Sequence, residues 1–246
     1  MSEIPEAVRM LERDLRGIFG SRLQSLAIYG QRAVRHTHGA HAAHDRAAAP
    51  TRTLAVVESM TQDDLRAAAG RIASWHDAGL ATPLLIASHE FARSLDAFPL
   101  EFGAIISDHI VVAGDNPFAS LAVDPADLRR ACEVQARSHL LHLREGFLET
   151  RGRADALSVL ILQSAPAFAA LVGSIARLEK RGSDDAAAAA RHAERILGLP
   201  GGPVTDVTNL VGAHDLSSAA AERLIAPYFD AVERLVQYVD GWNSGR

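Results

Sequence analysis

At 246 residues, with 48% hydrophobic and 22% charged side chains, the chain has the composition of a folded globular protein and the length for two cores, which excludes the disordered and fibrous classes. A formal net charge of −5 gives no global field to draw in nucleic acid, so a nucleic-acid partner is not expected. The single cysteine, Cys132, excludes an intrachain disulfide and a thiolate metal cluster, and its apolar helical setting predicts a small buried side chain. No run of apolar residues reaches the roughly 18 to 20 of a membrane span, and the opening residues are acidic where a secretory signal would be basic. Both point to a cytoplasmic protein with no membrane partner.

The elements follow in chain order. Val8, Leu11, Leu15, Ile18 and Phe19 recur at three- and four-residue spacing, which predicts an amphipathic helix over 5–19, stopped by Gly20. Short apolar runs predict buried strands at 26–29, 54–57, 84–87 and 110–113. Thr61 with Asp64 three residues on is a helix start, ahead of Leu65, Ala68, Ala69, Ile72 and Trp75, and Gly79 and Pro83 end that helix. Ser88 opens a further helical stretch interrupted at Pro99, and the turn cluster at 114–117 closes the unit. Strands alternating with helices up to about residue 116 predict a sheet covered on both faces. Beyond it only helical patterns remain: a long helix from Asp124-Pro125 to about Thr150, then 153–181, 185–197 and 217–242, with Pro166 expected to kink or split the second. The expected domains are 1–118, an α/β domain, and 119–246, an all-α helical bundle.

One pair of strands carries more than fold. Leu26-Ala27-Ile28-Tyr29-Gly30 is followed, one loop later, by Thr51-Arg52-Thr53-Leu54-Ala55-Val56-Val57. This layout resembles the nucleotidyltransferase-fold superfamily, in particular bacterial nucleotidyltransferases that adenylylate small molecules. The resemblance implies an α/β (α+β) nucleotidyltransferase-like domain with a small mixed sheet, followed by a helical bundle. In that family a Gly-Ser pair after the first strand cradles triphosphate, and Asp-x-Asp at the second supplies two metal-binding carboxylates. The matching positions here are Gly30-Gln31 and Thr51-x-Thr53. Threonine cannot replace a carboxylate for Mg²⁺, and the strand at 82–88 supplies no third acid. The resemblance therefore implies a degenerate, catalytically inactive member, a pseudoenzyme acting by ligand or partner binding. Its ligand-binding candidates are Gly30, Gln31, Thr51 and Thr53, with a nucleotide or other small anion as ligand and an unidentified protein as the other partner. Residues 93–102 resemble a stretch of bacterial proteins known only as nucleotidyltransferase-like, which implies fold and not activity.

Three other constellations carry chemistry. His36, His38, His41 and His44 lie in one loop with Asp45, a density of imidazoles that binds divalent metal adventitiously; a rebuilt metal site there is the alternative in which transferase activity survives. Arg137 and His142 match the Arg-x4-His spacing of helical-bundle ribonucleases of the HEPN type, which would bind phosphate and move protons. On the helix wheel, however, Leu128, Cys132, Ala136, Leu143 and Phe147 form the apolar face, with His139 on it and Arg137 opposite. His139 then reads as a satisfied core histidine, or as half of a buried polar pair with Gln135. Around Phe98 and Phe102, Asp96 and Glu101 are either ligand contacts or, for Glu101, a helix-start carboxylate beside Pro99.

Overall fold

Of the 246 residues, a computed structural model describes 4–30, 50–180 and 185–242, and the chain divides into two units, Met1–Val123 and Asp124–Arg246. The first is built on a four-stranded mixed sheet of order β3-β2-β1-β4, from β1 (Leu23–Tyr29), β2 (Arg52–Val57), β3 (Leu84–Ala87) and β4 (His109–Gly114). β1 pairs antiparallel with β2 and β4, while β2 and β3 run parallel. The apolar runs find each strand; β1, β2 and β4 extend beyond them because backbone pairing continues past the last apolar side chain.

Both faces of this sheet are covered. On one, Val8, Leu11, Leu15 and Phe19 of α1 (Glu6–Phe19) pack with Leu26, Ile28, Ala55 and Val57, joined by Ala68 of α2 (Gln62–Ala69) and Trp75 of α3 (Ile72–Asp77). On the other, Ala27, Leu54, Val56 and Ile86 meet Phe91 of α4 (Ser88–Ala97), Phe102 and Ile105 of α5 (Pro99–Ser107), and Phe118. The single helix expected after Thr61 is two: Gly70, a weak helix former, and Arg71 make the break, and the second piece buries Trp75 with its Nε1–H donating to Asp14 at 2.9 Å. Where β4 ends against β1, Gly114 has φ +75° and an added Cβ would sit 1.8 Å from the Gln24 carbonyl oxygen, so no other residue fits.

The second unit is helical: α6 (Pro125–Glu149), α7 (Ala154–Leu178), α8 (Ala186–Leu197), α9 (Pro203–Thr208) and α10 (Ser218–Asp240). Asp124, Asp185 and Ser217 cap three of them through their side-chain oxygens. Pro166 lies exposed inside α7, which stays one helix rather than two. The helix wheel of α6 holds for Leu128, Cys132, Ala136, His139 and Leu143, all buried, but not for Phe147, which is 41% exposed.

One expectation is corrected here. α7 is long and apolar enough to cross a membrane by length and composition, with a mean hydropathy of 1.9 over its most apolar window. Counting uninterrupted apolar runs passes over it because Ser158, Gln163 and Ser164 break the run. Within the unit, Leu157, Ile161, Phe168, Leu171, Val172 and Ile175 turn that apolar character into core, and 44% of the window is buried.

Candidate functional site

The end of the sheet where β1 leaves and β2 and β4 begin gathers polar groups of the first unit. Backbone pairing places Tyr29 between Arg52 of β2 and His109 of β4. By the two-residue period of a strand, Arg52 shares its face with Leu54 and Val56 and Tyr29 with Ala27, the face covered by α4 and α5. Glu101, in the first turn of α5, acts on the same phenol. Burial raises the Tyr29 pKa above its ordinary value, with Arg52 opposing and Glu101 adding to the rise. The phenol therefore remains a neutral hydroxyl that can donate a hydrogen bond.

His109 Nδ1 lies 2.9 Å from the Ile106 carbonyl oxygen, which only accepts, so in the neutral ring Nδ1 carries the hydrogen and Nε2 the lone pair. Its ring packs on Phe118 with centroids 4.2 Å apart. Gly30 follows Tyr29 with φ +70°; its N–H donates to the Asp108 carbonyl at 3.0 Å, and an added Cβ would meet no atom of the described residues within 4 Å. Glycine adopts that turn without strain.

The candidates from the sequence separate. Thr51 is half-buried beside this end of the sheet, and its backbone is consumed by pairing: its N–H donates to Gly79 and its carbonyl accepts from Ala81, both at 2.9 Å. Thr53 pairs with Ile28 and alternates with Ala55 and Val57, which turns its side chain toward α1. It is 0% exposed, and its Oγ1 has no hydrogen-bond partner among the described residues. Gln31, His36, His38, His41, His44 and Asp45 lie outside the described residues. Among the described residues, no group of three or more His, Cys, Asp or Glu is placed to hold a metal ion.

Reading Thr51-x-Thr53 as a degenerate carboxylate pair passes over the residue between. Arg52 is exposed, and no carboxylate of the described residues lies within ion-pair distance. The period of two offers the signal, since the middle residue must face away from both threonines. Joining Arg52 to Tyr29, Glu101 and His109 needs the strand register and the packing of α5, which no spacing in the sequence supplies. Asp96, the other acid named with Glu101, is exposed on α4.

In the second unit, Arg137 and His142 are both exposed and have separate partners. Arg137 Nη2 pairs with Asp240 at 2.7 Å, and His142 Nδ1 lies 3.1 Å from Glu145. The buried polar group is instead a chain from three helices: His139 Nε2 lies 2.7 Å from the Tyr228 hydroxyl, which donates to Ser164 Oγ at 3.1 Å. Since the Tyr228 hydrogen is committed to Ser164, its oxygen accepts from His139. The partner of His139 is thus a tyrosine 89 residues along the chain rather than Gln135. Burial pushes the His139 pKa down to about 4, and neighbouring His142 adds to the fall.

No protein-family model matches the sequence, and no curated protein matches it. Among solved structures, the chain is similar to a spectinomycin adenyltransferase, AAD(9) from Enterococcus faecialis, crystallised with ATP and spectinomycin. The TM-score is 0.56 at 8% sequence identity, with 94% of this chain and 98% of that chain covered. A likeness at that identity establishes a nucleotidyltransferase-like fold and nothing finer.

Proposed function

We propose that this chain is a nucleotidyltransferase-fold protein that binds a nucleotide-like anion at the sheet end formed by Gly30, Tyr29 and Arg52, and does not carry out metal-dependent nucleotidyl transfer. The observation that carries the reading is Arg52. A guanidinium stands exposed at the start of β2, where the fold's active members begin their metal-binding carboxylates, with no ion-pair partner among the described residues. A guanidinium neutralises phosphate directly through paired N–H donors, while its charge disfavours a divalent cation beside it. Gly30, whose own N–H is held by the Asp108 carbonyl, puts no side chain in the way of the anion, and the neutral Tyr29 hydroxyl supplies a donor. Buried Thr53 lies on the other face and takes no part. The structural neighbour's ATP is consistent with a nucleotide as the anion.

The test is calorimetric and thermal-shift titration with ATP, GTP, CTP and UTP, each with Mg²⁺ and with chelator, because a ligand that binds only the folded state raises its melting temperature. We expect saturable binding that chelator leaves intact and that Arg52→Gln weakens about tenfold, equivalent to about 1.4 kcal/mol. Binding that requires Mg²⁺, or release of pyrophosphate on incubation with a small alcohol or aminoglycoside, would replace this reading with an active transferase. Absence of binding under every condition would leave this end of the sheet to a protein partner.

A further inference from the structure

Phe98 is the one phenylalanine of eight with no ring or cation stacked beside it among the described residues. At 57% exposure it is also the most exposed of them. A single exposed ring is ordinary on a surface. This one stands at the corner between α4 and α5, three residues before Glu101.

The topology carries that corner to the end of the sheet where Arg52 and Tyr29 stand. β3 ends at Ala87, level with Val57 and so at the end of β2 remote from Arg52. α4 starts there and packs Phe91 and Leu95 on the sheet. Its 10 residues cover about 15 Å, against about 20 Å for the 6 of β2, so it has the reach to return to the Arg52 end. α5 then leads into β4, which opens at His109 beside Tyr29. Glu101 acts on the Tyr29 phenol from the first turn of α5, which sets the start of that helix near the same residue. Residues three apart are neighbours on a helix surface, so Phe98 stands one turn from Glu101.

Charge orders a ligand along this line. Asp96 and Glu101, both exposed, flank Phe98 and repel phosphate, which leaves the phosphates to the Arg52 guanidinium. A carboxylate accepts hydrogen bonds, and sugar hydroxyls are the donors that a phosphorylated ligand brings to Glu101. One turn away, an exposed aromatic face is a platform for a planar base, since every nucleobase has a π-face.

We infer that the anion held at Arg52 is a nucleoside phosphate whose base stacks on Phe98 and whose sugar hydroxyls donate to Glu101. The inference rests on Arg52 as the phosphate anchor and adds the two residues that select the nucleoside. A bare phosphate chain uses the anchor alone.

The probes are ATP and tripolyphosphate, the second a phosphate chain with no sugar or base, each titrated calorimetrically into the full chain with chelator present. ATP should bind about tenfold more tightly, the scale of one base stacked on one ring. Phe98→Ala should weaken ATP about tenfold and leave tripolyphosphate unchanged, whereas Arg52→Gln should weaken both. Glu101→Ala should weaken ATP but strengthen tripolyphosphate, because it removes a hydroxyl acceptor and a repelling charge together. Phe98 is exposed, so its variants should keep the wild-type melting temperature and circular dichroism. Phe98→Trp should bind ATP as the wild type does, and its indole emission, over the background of the wild-type chain, should be quenched by ATP and not by tripolyphosphate. ATP binding no tighter than tripolyphosphate overturns the inference and leaves Arg52 as a phosphate anchor. So does a Phe98→Ala variant that keeps wild-type affinity for ATP or weakens both probes alike. Binding of neither probe overturns the anchor, and the nucleoside reading falls with it.

Discussion

Thr53 and Arg52 are adjacent in the chain and opposite in role, and the difference is set by the pleat. Thr53 buries a hydroxyl with no partner among the described residues against the α1 side of the sheet, which is a cost the fold carries. Valine has nearly the same shape and no donor to leave unpaired, so Thr53→Val should raise the melting temperature, worth about 1 kcal/mol. Thr53→Asp places a carboxylate at this position, and buries an anion with no partner among the described residues. It should lower stability by several kcal/mol on the usual scale for an uncompensated buried charge, and create no Mg²⁺ dependence in a thermal-shift titration. A stable Thr53→Asp variant that gains Mg²⁺ binding would mean that the side chain can reach the sheet end after all. At this scale the sequence was most legible where one period governed. Cys132 and His139 fell on the apolar wheel of a helix and are buried there. Thr53 was not legible, because both of its neighbours on the strand face look equally compatible with an open site or a core.

Element positions were legible where a local rule acted alone. The four strands were marked by apolar runs, and Gly20, with φ +59°, ends α1 as its position implied. Thr61 and Asp64 form the reciprocal capping box their spacing predicts: Asp64 N–H donates to Thr61 Oγ1 at 3.2 Å, and Thr61 N–H to Asp64 at 2.8 Å. What spacing could not give is the long-range half of that cap. Arg22, 42 residues earlier, donates from both terminal nitrogens to the two Asp64 oxygens at 2.7 Å. First the Arg22 bonds and then those from Thr61 hold the Asp64 carboxyl well below the usual carboxylate range. The sign follows: a carboxyl with a lowered folded value contributes stability that is complete above its unfolded pKa of about 3.9 and is lost as pH falls through the folded value. Asp64→Asn should therefore lower the melting temperature near neutral pH and reduce the difference between neutral and strongly acid solution. Loss of stability without any change in that acid dependence would assign Asp64 to local capping alone. The short α9, after Gly202 in the left-handed region, was hidden in a Pro- and Gly-rich segment that reads as loop because six residues are too few for a helical period to register.

At the scale of the molecule, each unit has a core of its own. In the second unit, helices α6, α7 and α10 converge on His139, Tyr228, Ser164 and Phe168, with the His139 ring stacked on Phe168 at 5.6 Å and the Tyr228 ring edge-on to Phe168 at 5.0 Å. The residues supplying this polar centre come from helices distant in sequence, which is why the histidine could be placed in a core from its own helix while its partners could not be named. The fold of this unit presents His139 neutral, with its pKa pushed down to about 4, whereas in an unfolded chain it returns to about 6.5. Between those values the unfolded state binds more protons, so stability is complete above about pH 6.5 and declines as pH falls toward 4, by up to about 3 kcal/mol. This window lies above that of Asp64, which separates the two units by pH as well as by sequence. A fragment of residues 124–246 should fold by itself and melt cooperatively, since Leu143, Ile161, Phe168, Leu171, Tyr228 and Leu235 of its own helices are all buried. It should lose melting temperature between pH 6.5 and 4, and His139→Gln, which keeps an N–H to offer Tyr228 but does not titrate, should flatten that decline. A fragment that melts cooperatively with the same acid decline in wild type and His139→Gln would place the titrating group elsewhere in the unit, and a fragment without a cooperative transition would mean that its core is not sufficient to hold it.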